Sequence, residues 1–248
     1  MKHFHGTPIS GTYVAQIQVL RGRYAFIPWK KPLALMMAME VCRGFAVDNS
    51  AFSFWTSKET PNWTDYLKWV KQFARHPRFE FAVIPDVIDG GEQENDDLLK
   101  WWNKHAWHPV RIHSCPVWHL HESLDRLERL VTGSYDIIAL GSSGEYARPG
   151  SDSWWARMCE AWPVIADDVG YPRVRVHGLR MLREDIVRAF PFYSADSTNA
   201  AQNGIRTAHR YGMKCSAWGS QVKADQIESV QSPAVWTPEL ANQCEFEW

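Results

Sequence analysis

Two aspartates stand where a short apolar run breaks into small polar residues. Asp48 lies in Phe45-Ala46-Val47-Asp48-Asn49-Ser50-Ala51-Phe52, and Asp196 in Phe192-Tyr193-Ser194-Ala195-Asp196-Ser197-Thr198-Asn199. Such a run reads as a buried parallel strand that carries a carboxylate to the rim of a sheet or barrel. Two carboxylates delivered in this way point to paired-carboxylate chemistry. The competing reading is local, since Asp at a strand end also caps the following helix or closes a turn. Repetition weighs against it: His5-Gly6-Thr7, Pro85-Asp86, His119-Leu120-His121-Glu122, Gly141-Ser142-Ser143-Gly144-Glu145 and His177-Gly178 end other apolar runs with functional groups. Helix caps account for part of the Ser, Thr and Asp, and turns for part of the Gly.

The elements that would position these groups alternate. Strands are expected at Lys2–His5, Phe45–Asp48, Phe79–Asp86, Pro116–His121, Ile137–Gly141, Val174–Leu179, Phe192–Asp196 and Lys214–Trp218. Helical spacing of apolar residues is expected at Pro32–Cys42, Trp63–Phe73, Asn95–Trp107, Ser123–Val131, Ser153–Ile165, Leu182–Phe190, Asn199–Tyr211 and, more weakly, Val222–Val230. Strand and helix in strict alternation imply a parallel sheet with crossover helices. Eight such units and no GxGxxG after the first strand favour an α/β fold of the (β/α)8 TIM-barrel type over an open doubly wound sheet, with residues 1–248 as a single domain. In a barrel the chemistry sits at the C-terminal strand ends, where the polar groups above would converge.

Composition bounds the function. With 248 residues, 45% of them hydrophobic, the chain can bury a full core. A formal net charge of −1 means that any nucleic-acid contact must come from local basic patches. The five cysteines, Cys42, Cys115, Cys159, Cys215 and Cys244, show no CxxC spacing and fit reduced thiols. The N-terminus lacks an apolar signal core and no run approaches a membrane span, so a cytoplasmic protein with no membrane partner is expected.

The order Asp-x-Ser-Ala-Phe, an apolar strand ending in Asp, Leu-Gly-x-x-Gly-Glu, His-Gly-Leu and Ala-Asp-Ser resembles the tRNA-guanine transglycosylase superfamily. Within it, the chain is most similar to the compact DNA-guanine transglycosylases that put 7-deazaguanines into viral and bacterial DNA. The resemblance spans roughly His5 to Asn203 and rests on short motifs in the right order. It implies that Asp196, after the seventh expected strand, is the nucleophile on the sugar C1′, and that Asp48, after the second, is the general acid/base. It implies that Asp86 reads the guanine-like edge with help from Ser50 or Asn49. Gly141, Ser142 and Glu145 would line the region of the 7-substituent. His119 or His121 replaces a base-contacting Gln of the family, and His177 joins the substrate-binding set. The partners implied are double-stranded DNA with a flipped guanine and a free 7-deazaguanine base such as 7-cyano-7-deazaguanine, with no cofactor.

The chemistry fits these residue types on its own terms. Breaking an N-glycosidic bond passes through an oxocarbenium-like state, which a carboxylate beneath C1′ stabilises and traps. A second carboxylate that exchanges protons with a purine nitrogen needs an apolar setting, and Asp48 has Phe45, Phe52 and Phe54 near it in sequence. Most of the 14 tryptophans read as packing residues, but Trp29 or Trp55 could stack on a flipped base or its neighbours. Arg21, Arg23, Lys30 and Lys31 flank an aromatic segment and would supply phosphate contacts, unless they belong to a solvated loop. Members acting on tRNA carry a zinc site of three Cys and a His; here only His209, Cys215 and Cys244 follow the nucleophile strand, so no metal is expected. His105, His108, His113, Cys115, His119 and His121 form the only other metal-like density and read better as hydrogen-bonding groups. Three alternatives stay open: a tRNA-guanine transglycosylase, a nucleoside hydrolase on the same scaffold, and a noncatalytic barrel that binds nucleic acid.

Overall fold

The computed structural model describes residues 1–9 and 11–239; Cys244 lies outside them. In chain order the elements are β1 (Lys2–Gly6), α1 (Tyr13–Leu20), β2 (Tyr24–Pro28), α2 (Leu35–Val41), β3 (Gly44–Asp48), α3 (Ala51–Ser57), α4 (Trp63–Lys71), β4 (Phe79–Val83), α5 (Glu92–His105), α6 (His108–Arg111), β5 (Ser114–Cys115), β6 (Val117–His119), α7 (Leu124–Val131), β7 (Ile137–Gly141), α8 (Asp152–Ile165), β8 (Arg175–Gly178), α9 (Glu184–Ala189), β9 (Ser194–Ser197), α10 (Asn199–Arg210) and α11 (Ser216–Glu228). The strands follow the order β5-β4-β3-β2-β1-β9-β8-β7-β6. The strand pairs are parallel. Only Pro116 separates β5 from β6, so residues 114–119 stand at both ends of that order. Proline offers no N–H to a ladder. The break therefore divides one strand, and the nine named strands amount to the eight of a TIM-like α/β barrel.

Seven of the eight expected strands are present; the one expected at Pro116–His121 is β6, and β5 lies just upstream of it. The eighth is a correction. Lys214–Trp218 is not a strand; Cys215 is the N-cap of α11, which starts upstream of the helix expected at Val222–Val230. The residues that α11 buries, Ala217, Gly219, Ser220 and Ala224, keep helical spacing but are too small to give an apolar signal. The missing strand is β2, a five-residue apolar run whose flanking Arg21, Arg23, Lys30 and Lys31 make it resemble a loop. Asp48 therefore ends the third strand and Asp196 lies in the last.

The chain divides into two compact units. The first comprises Lys2–Ala82 and Asp196–Ser229. In it β1 pairs with β2 and β2 with β3, and Phe4, Phe26 and Phe81 bring their rings together at 5.5–6.3 Å. In the strand order β1 and β4 are three steps apart, about 14 Å in a flat sheet at about 4.8 Å per step. A Phe4–Phe81 separation of 5.5 Å therefore requires strong curvature, with these rings on the concave face. Phe45, Phe73 and Phe79 pack on the other face, toward α4. Phe79 and Phe81 share a parity yet face opposite ways because Phe45 pairs with Phe79 while Val47 pairs with Ala82, a bulge of one residue. Helices α10 and α11 meet at backbone distance: a Cβ on Gly219 would lie 2.0 Å from the Gly204 carbonyl oxygen.

The second unit comprises Met1, Val83–Ala195 and the described residues from Val230. Its core joins Trp118, Ile138, Leu140 and Val176 from the strands, and Leu120 just after β6, to Leu127, Trp154, Met158 and Trp162 from the helices and Phe190 just after α9. The Trp162 and Phe190 rings stack at 5.5 Å and 8°. Helix entry is set by side-chain caps: Ser123 accepts from the Arg126 N–H and Ser151 from the Trp154 N–H. Side chains alternate along a strand, so the residues between these core positions, His119, Ala139, Gly141 and His177, face away from the helices. No helix among the described residues is long and apolar enough to cross a membrane.

Candidate active site

In the first unit, register decides where Asp48 points. Ala46 pairs with Phe26 and Asp48 with Pro28, so Asp48 shares the concave face of Phe26. It is half-buried, and its carbonyl oxygen accepts from the Trp29 N–H at 2.9 Å. The two residues after it are buried and shape the turn: Asn49 Oδ1 accepts from the Ala51 N–H at 2.8 Å, and Ser50 Oγ accepts from the Lys30 N–H at 3.1 Å. Ser50 has φ 63°, a left-handed conformation that costs a non-glycine residue about 1 kcal/mol or more and clusters at functional sites. The sequence gives no sign of this strain.

Asp196 is 4% exposed. It sits two residues past Ser194, which pairs with His177, so strand alternation turns it away from the helices. Ser197 Oγ accepts from the Asn199 N–H at 2.9 Å and starts α10. A Cβ on Gly6 would meet Thr198 Cγ2 at 2.8 Å, so only glycine at the end of β1 lets this turn approach. Trp29 packs among Phe54, Trp63 and Tyr66 at 5.2–6.2 Å, as a core residue does. Phe52 and Trp55 lie on α3, with exposures of 38% and 48% and rings 5.6 Å apart. The basic residues divide. Arg21 and Lys31 are exposed. Arg23 is held by Asp225, Glu228 and the Val19 carbonyl, and Lys30 by Ser57 and Glu59 above the Phe54 ring.

In the second unit the structure brings together groups that are far apart in sequence. Asp86 and His119, both buried, meet at 2.8 Å between Oδ2 and Nε2. His119 stacks on His121 at 5.7 Å and 25°. His121 Nδ1 lies 2.7 Å from Ser143 Oγ and its Nε2 lies 3.2 Å from the Gly90 carbonyl oxygen. Gly141 leaves room for the His119 ring, since a Cβ there would be 3.1 Å from Nδ1. His177 is fully buried, with Nδ1 2.8 Å from Ser194 Oγ. Ser142 Oγ instead accepts from the Trp154 indole N–H at 2.9 Å, and Glu145 is exposed on a short 3-10 turn. Glu122, missed as a partner in the sequence, is buried against Arg126 and Asn95 and accepts from the His119 N–H, which fixes the end of β6.

The thiols and metal-like residues do other work. Burial pushes the Cys42 thiol up to about 12, with Arg78 opposing, and burial raises Cys115 far above the usual thiol range, so neither is a nucleophile near neutral pH. His105 Nδ1 bonds the Trp101 carbonyl and its ring lies tilted against the indole at 5.1 Å. Among the described residues no three His, Cys, Asp or Glu are grouped as a metal ion would need. Comparison of the chain with protein-family models, with curated proteins and with solved structures gives no match.

Proposed function

We propose that the protein is a DNA-guanine transglycosylase, exchanging guanine in DNA for a free 7-deazaguanine base through a covalent glycosyl-aspartate. The observation that carries this reading is the placement of Asp48 and Asp196 at strand ends of a TIM-like barrel, each on the strand face opposite the one that packs helices. That is where such folds keep their chemistry. The resemblance in motif order supplies the roles.

The Asp196 carboxylate attacks C1′ as the C1′–N9 bond breaks and its electron pair leaves with guanine, which takes a proton from Asp48. Asp48, now a carboxylate, removes the N9 proton of the incoming 7-deazaguanine. That nitrogen then attacks C1′ and releases Asp196. The resemblance assigns the reading of the guanine-like edge to Asp86. The exposed pair Phe52 and Trp55, with rings 5.6 Å apart, suits stacking on unpaired bases.

Nucleosides released from DNA after incubation with 7-cyano-7-deazaguanine, analysed by mass spectrometry, test the reading. The modified deoxynucleoside is expected with wild type and reduced at least about 10³-fold in Asp196→Asn, because removal of a nucleophile removes the whole two-step path. Exchange into tRNA alone would reject the DNA substrate. Release of guanine without incorporation would make the protein a hydrolase.

A further inference from the structure

We propose that His119 is a positioning residue that holds the Asp86 carboxylate through its Nε2–H, taking the place of a direct contact between its own ring and the base. The proposal rests on the transglycosylase reading only for the identity of the ligand that Asp86 meets.

The argument begins with proton placement. A carboxylate oxygen only accepts, so the 2.8 Å contact between His119 Nε2 and Asp86 Oδ2 requires the proton on Nε2. His119 Nδ1 is buried and has no hydrogen-bond partner among the described residues. A proton there would be an unpaired buried N–H, which is costlier than an unpaired lone pair. One tautomer is therefore selected, with Nε2–H toward Asp86 and a lone pair on Nδ1 over Gly141. The ring has little freedom to leave this pose. His121 stacks on it and is itself held between Ser143 and Gly90, while Glu122 fixes the His119 backbone N–H at 2.8 Å. Asp86 lies beyond the end of β4, and His119, at the end of β6, contacts its carboxylate from a rigid element.

This arrangement has a consequence for specificity. With His119 donating to Oδ2, the Asp86 carboxyl group is held in one orientation, as an acceptor for a ligand edge that presents N–H donors. A heterocycle with adjacent ring and exocyclic N–H groups matches such an acceptor, and one with carbonyls there does not. Gly141 belongs to the same device, because a methyl group 3.1 Å from Nδ1 and 3.4 Å from Cε1 would push the ring off its line to Asp86.

The test uses three variants of the full chain. His119→Leu should raise the KM for the free base about 10- to 100-fold, the range for losing one hydrogen bond to a charged group, with a smaller change in kcat. His119→Gln, whose amide keeps a donor, should recover most of that loss. Gly141→Ala should move KM in the same direction by less. Long-range 15N–1H spectra of the imidazoles give a readout independent of turnover: His119 should show its proton on Nε2 in wild type, and that signature should change in Asp86→Asn. An unchanged KM in His119→Leu, or a proton on Nδ1 in wild type, overturns the proposal. A wild-type protein that exchanges no base but shows the Nε2 signature and its dependence on Asp86 would refute the transferase and leave the pair standing.

Discussion

Gly219 offers a substitution whose sign separates two physical effects. Inside a helix, glycine costs about 1 kcal/mol relative to alanine, so propensity alone predicts that Gly219→Ala stabilises the protein by about that amount. The crossing of α10 and α11 predicts the opposite. A Cβ at Gly219 would lie 2.0 Å from the Gly204 carbonyl oxygen, 2.5 Å from the Ala208 nitrogen and 3.0 Å from the Ala208 Cα, all backbone atoms that no rotamer can move. Restoring tolerable contact requires the helices to part by about 1 Å, and a gap of about that size forfeits a quarter to a half of the dispersion energy along the seam. Overpacking costs about 1–3 kcal/mol, and a clash with three backbone atoms takes the upper part of that range, about 2–3 kcal/mol, from which the propensity gain is subtracted. The expected net loss is about 1–2 kcal/mol, or a Tm lower by about 2–8 °C for a chain of this size. Circular dichroism melts and urea titrations of wild type, Gly219→Ala and Gly91→Ala measure it. Gly91, with nothing within 4 Å of its would-be Cβ, serves as the uncrowded control. A Gly219→Ala protein as stable as wild type, or more so, with an unchanged urea slope would refute the account of this crossing.

Gly6→Ala should leave the fold largely intact, yet push Thr198 and with it the turn after Asp196. Base exchange should fall by about 10²-fold, while the Tm drops by a few degrees at most. Cys42 and Cys115 should react with a thiol reagent only on unfolding, whereas exposed Cys215 reacts in the native protein; peptide mass mapping of the labelled sites distinguishes these cases. Glu228 is subject to burial, which raises its carboxyl, but the hydrogen bond from His5 and the charges of His5, Arg23 and His3 outweigh it and hold the group below 4.5. A depressed folded value means that its contribution is present above 4.5 and lost as pH falls through that lower value. Glu228→Gln should therefore destabilise the protein near neutral pH by about 1–3 kcal/mol and flatten the acid limb of a stability-against-pH curve; an unaltered acid limb would contradict the assignment.

Much of the architecture was legible because burial writes periodicity into sequence. The runs ending at Asp48, Gly141 and Gly178 are strands flanked by helices of clear spacing, and they place the candidate acids at strand ends. Two elements were hidden for opposite reasons. β2 sits between basic residues that make it resemble a loop, while α11 buries small residues because its backbone touches that of α10. At the candidate site, residue types were readable but partners were not. Nothing local says that Ser142 is committed to Trp154, that Arg23 is committed to Asp225 and Glu228, or that His119 meets Asp86 across 33 positions. These pairings depend on which strands become neighbours and which face each residue takes.

The extra residue between Phe79 and Ala82 gives that last dependence a concrete form. Deleting Glu80 would restore an unbroken alternation along β4 and leave Phe79, Phe81 and Ala82 on the sides they already take, because the bulge holds one residue more than the β3 ladder needs. Removing that one residue would thus be better tolerated than adding another, and an alignment that slides a single gap past this point would assign the wrong amino acids to the ligand-facing row. Mutational libraries covering this stretch should accept loss of Glu80 more readily than an insertion beside it.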